Sequence, residues 1–332
     1  MTALHAFLTT PFLGTPSWFW LAFMAIVIAL LVFDLGVLHR DQHEIEMRES
    51  LLLYSGYFSV GMAFGGWVWW QLGATKALEF YTGFLIEQSL SMDNVFVMAM
   101  ILGFFAIPRR YQHRVLFWGI LGVIVLRALM IGLGTALVQR FDWILYLFGA
   151  FLLLSGVKML FTRDEQHPDL SQNPLLKFLR RRIRVTDQLH GGRFLVHLRD
   201  PQTGTVQRYA TPLLLALVLI ELADLVFAVD SVPAVFAVTQ DPFIVYTSNI
   251  FAILGLRALY FALAALMHRF IYLKYALALV LIFIGGKIFL HGLIGQVPAV
   301  LSLGVTLGLL AGGVVLSLLK TRDRPGRDPG IH

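Results

Sequence analysis

The chain contains no cysteine, and charged residues occupy only 14% of its 332 positions. Without cysteine it can form no disulfide, iron–sulfur cluster or thiolate site, so any metal must bind oxygen, imidazole or thioether ligands. The charged fraction is well below the roughly one quarter that is usual in soluble domains. Because 58% of the residues are hydrophobic, the composition indicates a protein that resides in lipid.

Apolar runs of about 20 residues, the length needed to cross a hydrocarbon core of roughly 30 Å, recur along the chain. They predict an all-α polytopic membrane protein with about nine transmembrane helices. The first run lacks the basic leader and cleavage site of a signal peptide, so it is interpreted as a span. The predicted spans are 17–38, 51–72, 78–106, 115–138, 141–161, 210–238, 243–267, 271–290 and 297–319.

Basic residues follow spans one, three, five and seven and recur in the tail at 320–332, whereas the intervening loops carry only Lys76 and Arg140. Cytoplasmic loops are the ones enriched in Lys and Arg, so this pattern predicts the N-terminus outside and the C-terminus in the cytoplasm. The net charge of +6 is then a feature of membrane topology, and no nucleic-acid partner is expected.

One sizeable cytoplasmic segment is predicted, at 162–209, between spans 1–5 (residues 1–161) and spans 6–9 (residues 210–319). Residues 175–183 have the pattern of a basic amphipathic helix, and residues 193–209 that of a strand, a turn and a strand. The segment is either an ordered tether or a regulatory contact to a partner.

Two parts of the chain resemble each other. The sequence around Asp93 matches that around Asp224, Arg127 matches Arg257, and 156–159 matches 285–288. The spacing agrees to one residue: Asp93 precedes Arg127 by 34 positions, and Asp224 precedes Arg257 by 33. Each unit has three spans, so the predicted repeats, 78–161 (spans 3–5) and 210–290 (spans 6–8), have inverted topology. Such repeats bring matching mid-helix residues together near the bilayer centre, so Asp93 and Asp224 are expected to pair.

Five carboxylates lie well inside spans three and six, and each costs on the order of 2.5–3.5 kcal/mol to place at mid-membrane. Cation binding would compensate this cost, whereas the alternative is that some acids are neutral or pair with Arg127 and Arg257. The predicted metal ligands are Glu87, Asp93, Asn94, Glu221, Asp224 and Asp230.

Other polar residues are predicted to line the pathway or balance charge. Pro233 removes a backbone hydrogen bond near Asp230, and a local break there could re-aim that carboxylate, with Ser231 adding a hydroxyl. Asn249 is placed along the pathway, and Arg127 and Arg257 as counter-charges. Asp34 is expected at the membrane interface.

An oxygen-rich site without thiolate suits hard cations such as Mn²⁺, Mg²⁺ or Ca²⁺. The histidines, including His39, His113, His268 and His291, lie at span ends or in loops, which argues against a zinc or copper site. The metal is expected as a transported ion, with no fixed cofactor.

Three stretches resemble signatures of the TerC/Alx family of membrane proteins: 85–96 (LIEQSLSMDNVF), 221–234 (ELADLVFAVDSVPA) and 247–258 (TSNIFAILGLRA). The resemblance covers roughly residues 17–319. It implies a manganese exporter of the bacterial inner membrane and not an enzyme. The acidic positions that the family is thought to use for the metal match Glu87, Asp93, Asp224 and Asp230.

The leading hypothesis is therefore Mn²⁺ efflux by alternating access, with outward release coupled to proton uptake by the same acids. A non-transporting protein that supplies metal to, or assembles, partner enzymes is one alternative. An intramembrane aspartyl protease is a remote one, since the Gly-x-Gly-Asp motif of such enzymes is absent and the additional acids stay unexplained.

Overall fold

The computed structural model describes residues 8–38, 47–141, 143–161, 176, 182–199, 205–263, 272–294 and 298–322. Two short strands, β1 (Pro11–Phe12) and β2 (Thr15–Pro16), precede the first helix. The helices are α1 (Ser17–Leu38), α2 (Met47–Leu72), α3 (Ala74–Phe104), α4 (Arg109–Arg140), α5 (Ile144–Phe161), α6 (Pro212–Phe236), α7 (Pro242–Leu254), α8 (Leu256–Leu263), α9 (Leu273–Ile294) and α10 (Ala299–Arg322).

The protein is an all-α polytopic membrane protein. Within the described residues, seven stretches are long and apolar enough to cross a membrane, on α1, α2, α4, α5, α6, α7–α8 and α10, and α9 holds a shorter apolar stretch. Each of the nine predicted spans coincides with helix, the seventh with α7 and α8 together. The predicted polytopic helical fold is thus confirmed.

The seventh predicted span is two helices and not one. The chain turns at Gly255, between Leu254 and Leu256, with Tyr54 and Tyr57 of α2 packed beside it. The stretch Pro242–Ala262 is 94% buried, against 22% for the stretches on α1 and α5. The broken helix pair therefore lies at the centre of the bundle.

Aromatic side chains fill the space between α1, α2, α3 and α7. Phe64 contacts Phe80 and Phe251 with ring centroids 5.5 and 4.6 Å apart, and Phe19 lies 5.6 Å from Phe243. In lipid the hydrophobic effect between helices is small, so van der Waals packing of this kind holds the helices together. This cluster fixes α3 against α7, the two helices that carry Glu87 and Asn249.

Helices α5 and α9 approach each other closely at repeat-equivalent glycines. A Cβ on Gly156 would lie 2.7 Å from the carbonyl oxygen of Ala278, and a Cβ on Gly285 would lie 2.7 Å from that of Gly149. In the repeat, Gly149 corresponds to Ala278 and Gly156 corresponds to Gly285, since each pair is 129 positions apart. When the residues of one contact are replaced by their equivalents, the result is the other contact. A twofold axis between antiparallel helices produces this reciprocity. It supports the inverted repeat, whose full extent over 78–161 and 210–290 stays a prediction.

In the predicted cytoplasmic segment, β3 (Leu195–Arg199) pairs antiparallel with β4 (Val206–Ala210) at the positions of the predicted strands. Thr211 donates a 2.7 Å hydrogen bond to the carbonyl of Arg193, which joins these strands to the start of α6. Most of the predicted basic helix at 175–183 lies outside the described residues.

Candidate functional site

Four helices, α3, α4, α6 and α7, meet around the side chain of Arg127, which is 1% exposed. A guanidinium at this depth is stable only if its charge and its donors are matched, because an unpaired charge in the membrane is costly. We call Arg127 and the residues that hydrogen-bond to it or to its carboxylate partners the Arg127 cluster: Glu87, Asn94, Arg127, Asp224, Ser231 and Asn249.

Arg127 holds Asp224 with two parallel hydrogen bonds. Its Nε donates to Oδ2 at 3.0 Å and its Nη2 to Oδ1 at 2.9 Å. Such a bidentate pair combines the planar fork of arginine with the two oxygens of a carboxylate, which fixes direction as well as charge. Asp224 is 1% exposed, so the pair is removed from water.

The remaining Nη1 of Arg127 points to the other side of the cluster. It pairs with Glu87 on α3, and it donates to Ser231 Oγ at 3.1 Å and to Asn249 Oδ1 at 3.2 Å. Arg127 therefore lies between Asp224 and Glu87 and links the two carboxylates.

Two amide side chains also donate hydrogen bonds to these carboxylates. Asn94 Nδ2 donates to Asp224 at 3.1 Å, and Asn249 Nδ2 donates to Glu87 at 3.1 Å. Because two carboxylates face one guanidinium, the cluster carries a formal charge of −1 when all three groups are ionised. A buried group of this charge attracts a cation or a proton.

On the helix faces that carry Asn94 and Asp224 are buried polar atoms that have no hydrogen-bond partner in the described part of the chain. They are Asn94 Oδ1 and Ser91 Oγ on α3, and Glu221 Oε2 on α6. Ser91 and Asn94 are three positions apart on one helix face, as are Glu221 and Asp224. Oxygen atoms left without donors are what a hard cation requires as ligands. We call this set the unpaired oxygens.

Glu221 lies against α4 at a glycine. A Cβ on Gly122 would overlap the Glu221 carboxyl group, whereas a Cβ on Gly119, one turn earlier, would lie 3.9 Å from Glu221 Oε1, an ordinary contact. The missing side chain at position 122 thus provides the room in which Glu221 lies.

The structure brings together several of the predicted site residues and leaves others untested. Glu87, Asn94, Asp224, Ser231 and Asn249 contact one another or Arg127. Asp93 and Asp230 lie in α3 and α6, but their side chains, and that of Met92, are outside the described set. The predicted pairing of Asp93 with Asp224 therefore stays a prediction.

The local break considered at Pro233 is not present. Helix α6 continues through Pro233 to Phe236. Pro233 lies in the last turn of α6, and the helix continues although proline donates no backbone hydrogen bond there. Ser231 contributes its hydroxyl to Arg127 without any break in the helix.

Arg257 forms a second buried charge pair, with Asp34 on α1. The hydroxyl of Tyr57 on α2 donates to Asp34 Oδ1 at 2.9 Å. Asp34, expected at the membrane interface, is 8% exposed and pairs with an arginine inside the bundle, and its depth in the membrane stays a prediction. The sequence offers one signal for this pair, a mid-span arginine together with an acid late in another span, but no spacing rule connects distant helices.

Among the side chains described, no group of three or more His, Asp or Glu residues is arranged to hold a metal ion. This statement does not cover Asp93 and Asp230, two of the predicted ligands, because their side chains are outside the described set. The described ligands are mixed: carboxylates, amide oxygens and hydroxyls. This chemistry suits a hard divalent cation rather than Zn²⁺ or Cu²⁺.

Comparison with known proteins assigns this architecture to a family. The family model described as "Integral membrane protein TerC family" matches residues 72–325. The chain belongs to the TerC family. The TerC region contains the four helices of the Arg127 cluster, whereas α1, which carries Asp34, and Tyr57 of α2 precede it.

Bacterial relatives match the TerC protein over most of its length. An "Uncharacterized membrane protein" of Rickettsia bellii is 47% identical over 301 residues, which is 91% of this chain and 97% of the relative. The "Putative membrane-bound redox modulator Alx" of Escherichia coli K12 is 45% identical over 306 residues, 90% of this chain and 92% of the relative. No solved structure matches the chain.

Proposed function

We propose that this TerC protein is a divalent metal ion transporter that exports Mn²⁺ from the cytoplasm by alternating access coupled to protons. The observation that carries the proposal is the Arg127 cluster, a buried site of excess negative charge with the unpaired oxygens beside it. A structural ion pair would be charge-balanced and fully bonded, and this site is neither.

Arg127 acts in this proposal as a tethered counter-ion. When no metal is bound, its guanidinium satisfies Asp224 and Glu87. A cation that binds at Asp224, Glu221 and Asn94 replaces the guanidinium at Asp224, while Arg127 keeps its contacts to Glu87, Ser231 and Asn249. Since a buried charge must always have a partner, binding of the cation and movement of Arg127 are coupled.

The ion and the direction are proposed on two grounds. Oxygen ligands without thiolate select a hard cation, and the resemblance to the TerC/Alx family implies manganese. The same resemblance implies export. The proposed orientation in the bacterial inner membrane has the basic loops in the cytoplasm and the N-terminus outside. In that orientation Glu221 and Asn94 lie on the cytoplasmic side of Arg127, and Glu87 and Asn249 lie on the outer side.

Other functions fit the site less well. The name of the E. coli relative refers to redox modulation, but this chain has no cysteine and so cannot itself carry out thiol–disulfide exchange. An aspartyl protease shares a proton between two free aspartates, whereas Asp224 is held by Arg127. A role in the assembly of partner enzymes would use the segment that contains β3 and β4 and leaves the Arg127 cluster without a purpose.

The test is a flux assay with the purified protein alone in lipid vesicles. We expect Mn²⁺ uptake above that of empty vesicles, accelerated by an imposed pH gradient, and slower or no uptake of Mg²⁺ and Ca²⁺. Absence of flux for all three ions, with protein shown to be folded and inserted, would overturn the proposal and favour the assembly role.

A further inference from the structure

A cavity of about 1190 Å³ lies at one end of the bundle, away from the Arg127 cluster. Its wall is formed by the turn between β1 and β2, the first three turns of α3, the ends of α4 and α6, the start of α7, and parts of α9 and α10. Four charged residues line it: Lys76, Glu79, Asp241 and Lys287. In the orientation proposed above, this end of the bundle faces outward.

The ammonium group of Lys76 bridges two carboxylates from different helices in this cavity. Lys76 Nζ lies 3.1 Å from Glu79 Oε2 and 3.1 Å from Asp241 Oδ2. The hydroxyl of Thr239 donates to Glu79 Oε2 at 2.6 Å, and the backbone N–H of Phe243 donates to Asp241 Oδ1 at 3.0 Å. Both carboxylates are thus held in place by neighbouring donors, and together they bind one cationic group.

A separate feature of the same wall also indicates a ligand. Ser302 on α10 lines the cavity and is 1% exposed, and its Oγ has no hydrogen-bond partner among the described residues. A buried hydroxyl without a partner is uncommon, because such a group loses its bonds to water. It adds a buried oxygen without a donor to the wall that carries the two carboxylates.

The cavity is aligned with the Arg127 cluster along two helices. Glu79 precedes Glu87 by eight positions on α3, and Asp241 precedes Asn249 by eight at the start of α7. Eight residues of α-helix span about 12 Å, so each helix connects the cavity to the cluster over about two turns. Midway, a Cβ on Gly83 would lie 3.0 Å from Ser248 Oγ and 3.3 Å from Val235. Helices α3, α6 and α7 therefore pack closely together at Gly83.

We propose that this cavity is a vestibule of the transport pathway, in which Glu79 and Asp241 bind the divalent cation in exchange for the ammonium group of Lys76. The inference rests on the proposed transport function. It assigns a second cation site on the same route. Lys76 occupies this second site when no metal is bound, as Arg127 occupies the first. Passage between the two requires the contact at Gly83 to open.

Because the sequence has no cysteine, a single introduced cysteine can be modified to place a chosen charge in the cavity. Thr75 lines the cavity and is exposed, and Thr75→Cys adds the one thiol of the chain there. The purified variant is modified in detergent with methanethiosulfonates that add a trimethylammonium, a sulfonate or a methyl group, and is then reconstituted. Gln188→Cys, exposed in the segment 182–199, is the matched control.

At subsaturating Mn²⁺, the positive adduct at position 75 is expected to lower the flux by about threefold or more, and the negative adduct to raise it, relative to the methyl adduct. The same adducts at position 188 are expected to leave the flux unchanged. Lys76→Gln should lower the KM for Mn²⁺, and Glu79→Gln should raise it.

Equal effects of both charges at position 75, or effects no larger than those at position 188, would overturn the vestibule assignment while transport itself continued. A wild-type protein that moves no Mn²⁺ would instead overturn the proposed function. The two failures are therefore distinguishable.

Discussion

Arg127 and Arg257 occupy equivalent positions in the two repeated segments, each within the sequence Leu-Arg-Ala-Leu, yet they have different partners. Arg127 lies in the unbroken helix α4 and joins two carboxylates, a hydroxyl and an amide. Arg257 lies two positions after the turn at Gly255 and pairs with Asp34, which accepts a further hydrogen bond from Tyr57. Both arginines are buried, at 1% and 4% exposure.

On the proposed function, the difference between them separates a cation site from a structural pair. The Arg257 pair joins one guanidinium to one carboxylate, and it connects α8 to α1. The Arg127 cluster has more negative charge than its guanidinium balances, and the unpaired oxygens lie beside it. If the two repeats share an ancestral arrangement, one arginine has been used to anchor the bundle and the other to control a cation site.

The largest expected difference is in transport. Asp224→Asn removes a proposed ligand and is expected to lower Mn²⁺ flux at least about tenfold, a loss of about 1.4 kcal/mol or more. Asp34→Asn removes the carboxylate of the other pair and should keep most of the flux of the folded protein. Manganese tolerance and accumulation in cells check the same contrast. Similar flux in the two variants would mean that the two arginine sites do not differ in function.

The next contrast is in stability. Arg257→Gln removes the guanidinium that pairs with the buried Asp34 and is expected to cost about 3–5 kcal/mol, measured by thermal unfolding in detergent. Addition of Asp34→Asn to this variant should recover most of the loss, because the double change removes both charges of the pair. Arg127→Gln should also be destabilised, but Mn²⁺ should restore it by occupying Asp224, whereas Mn²⁺ should not restore Arg257→Gln. Equal responses to Mn²⁺ would contradict the tethered counter-ion.

A smaller effect is expected from the glycine beneath Glu221. Gly122→Ala places a methyl group where the Glu221 carboxylate lies, and overpacking of this kind costs roughly 1–3 kcal/mol. We expect a several-fold rise in the KM for Mn²⁺ because Glu221 must move. Gly119→Ala, one turn away on the same helix, has ordinary contacts and serves as the control. A normal KM in the Gly122 variant would remove Glu221 from the site.

The smallest expected effect on transport belongs to the hydroxyl of Tyr57. Tyr57→Phe removes one hydrogen bond to a charged acceptor, worth about 1.5–3 kcal/mol, and should lower the unfolding temperature without changing Mn²⁺ flux. Tyr246→Phe, which loses a bond to the neutral carbonyl of Ala128, should lower it less. A loss of flux in the Tyr57 variant would show that the Asp34 pair takes part in transport.

Much of the fold was predictable because lipid leaves few choices. Apolar length fixed the nine helical segments, and the cost of mid-membrane charge singled out Glu87, Asp224 and Arg127 as residues that need partners. The break at Gly255 was not predicted, since a glycine within an apolar run is common in membrane helices. The partner of Arg257 was missed because pairing between distant helices depends on packing that no local pattern encodes.

The site was predicted as a set of residues but not as an arrangement. Spacing placed Glu221 and Asp224 on one helix face, yet it could not show that Arg127 reaches Asp224 with two hydrogen bonds and Glu87 with another nitrogen. The repeat placed Arg127 and Arg257 at equivalent positions, and that equivalence gave no indication of their different partners. Tertiary contacts made by α1, outside both repeats, produce the asymmetry.

The most direct test of the cation site is equilibrium Mn²⁺ binding to the purified protein, followed by the loss of the free-ion electron paramagnetic resonance signal. The wild type and Asp34→Asn are expected to bind Mn²⁺ with similar affinity, and Asp224→Asn to lose that binding. Binding that is unchanged in Asp224→Asn, or lost equally in Asp34→Asn, would contradict the assignment of the Arg127 cluster as the cation site.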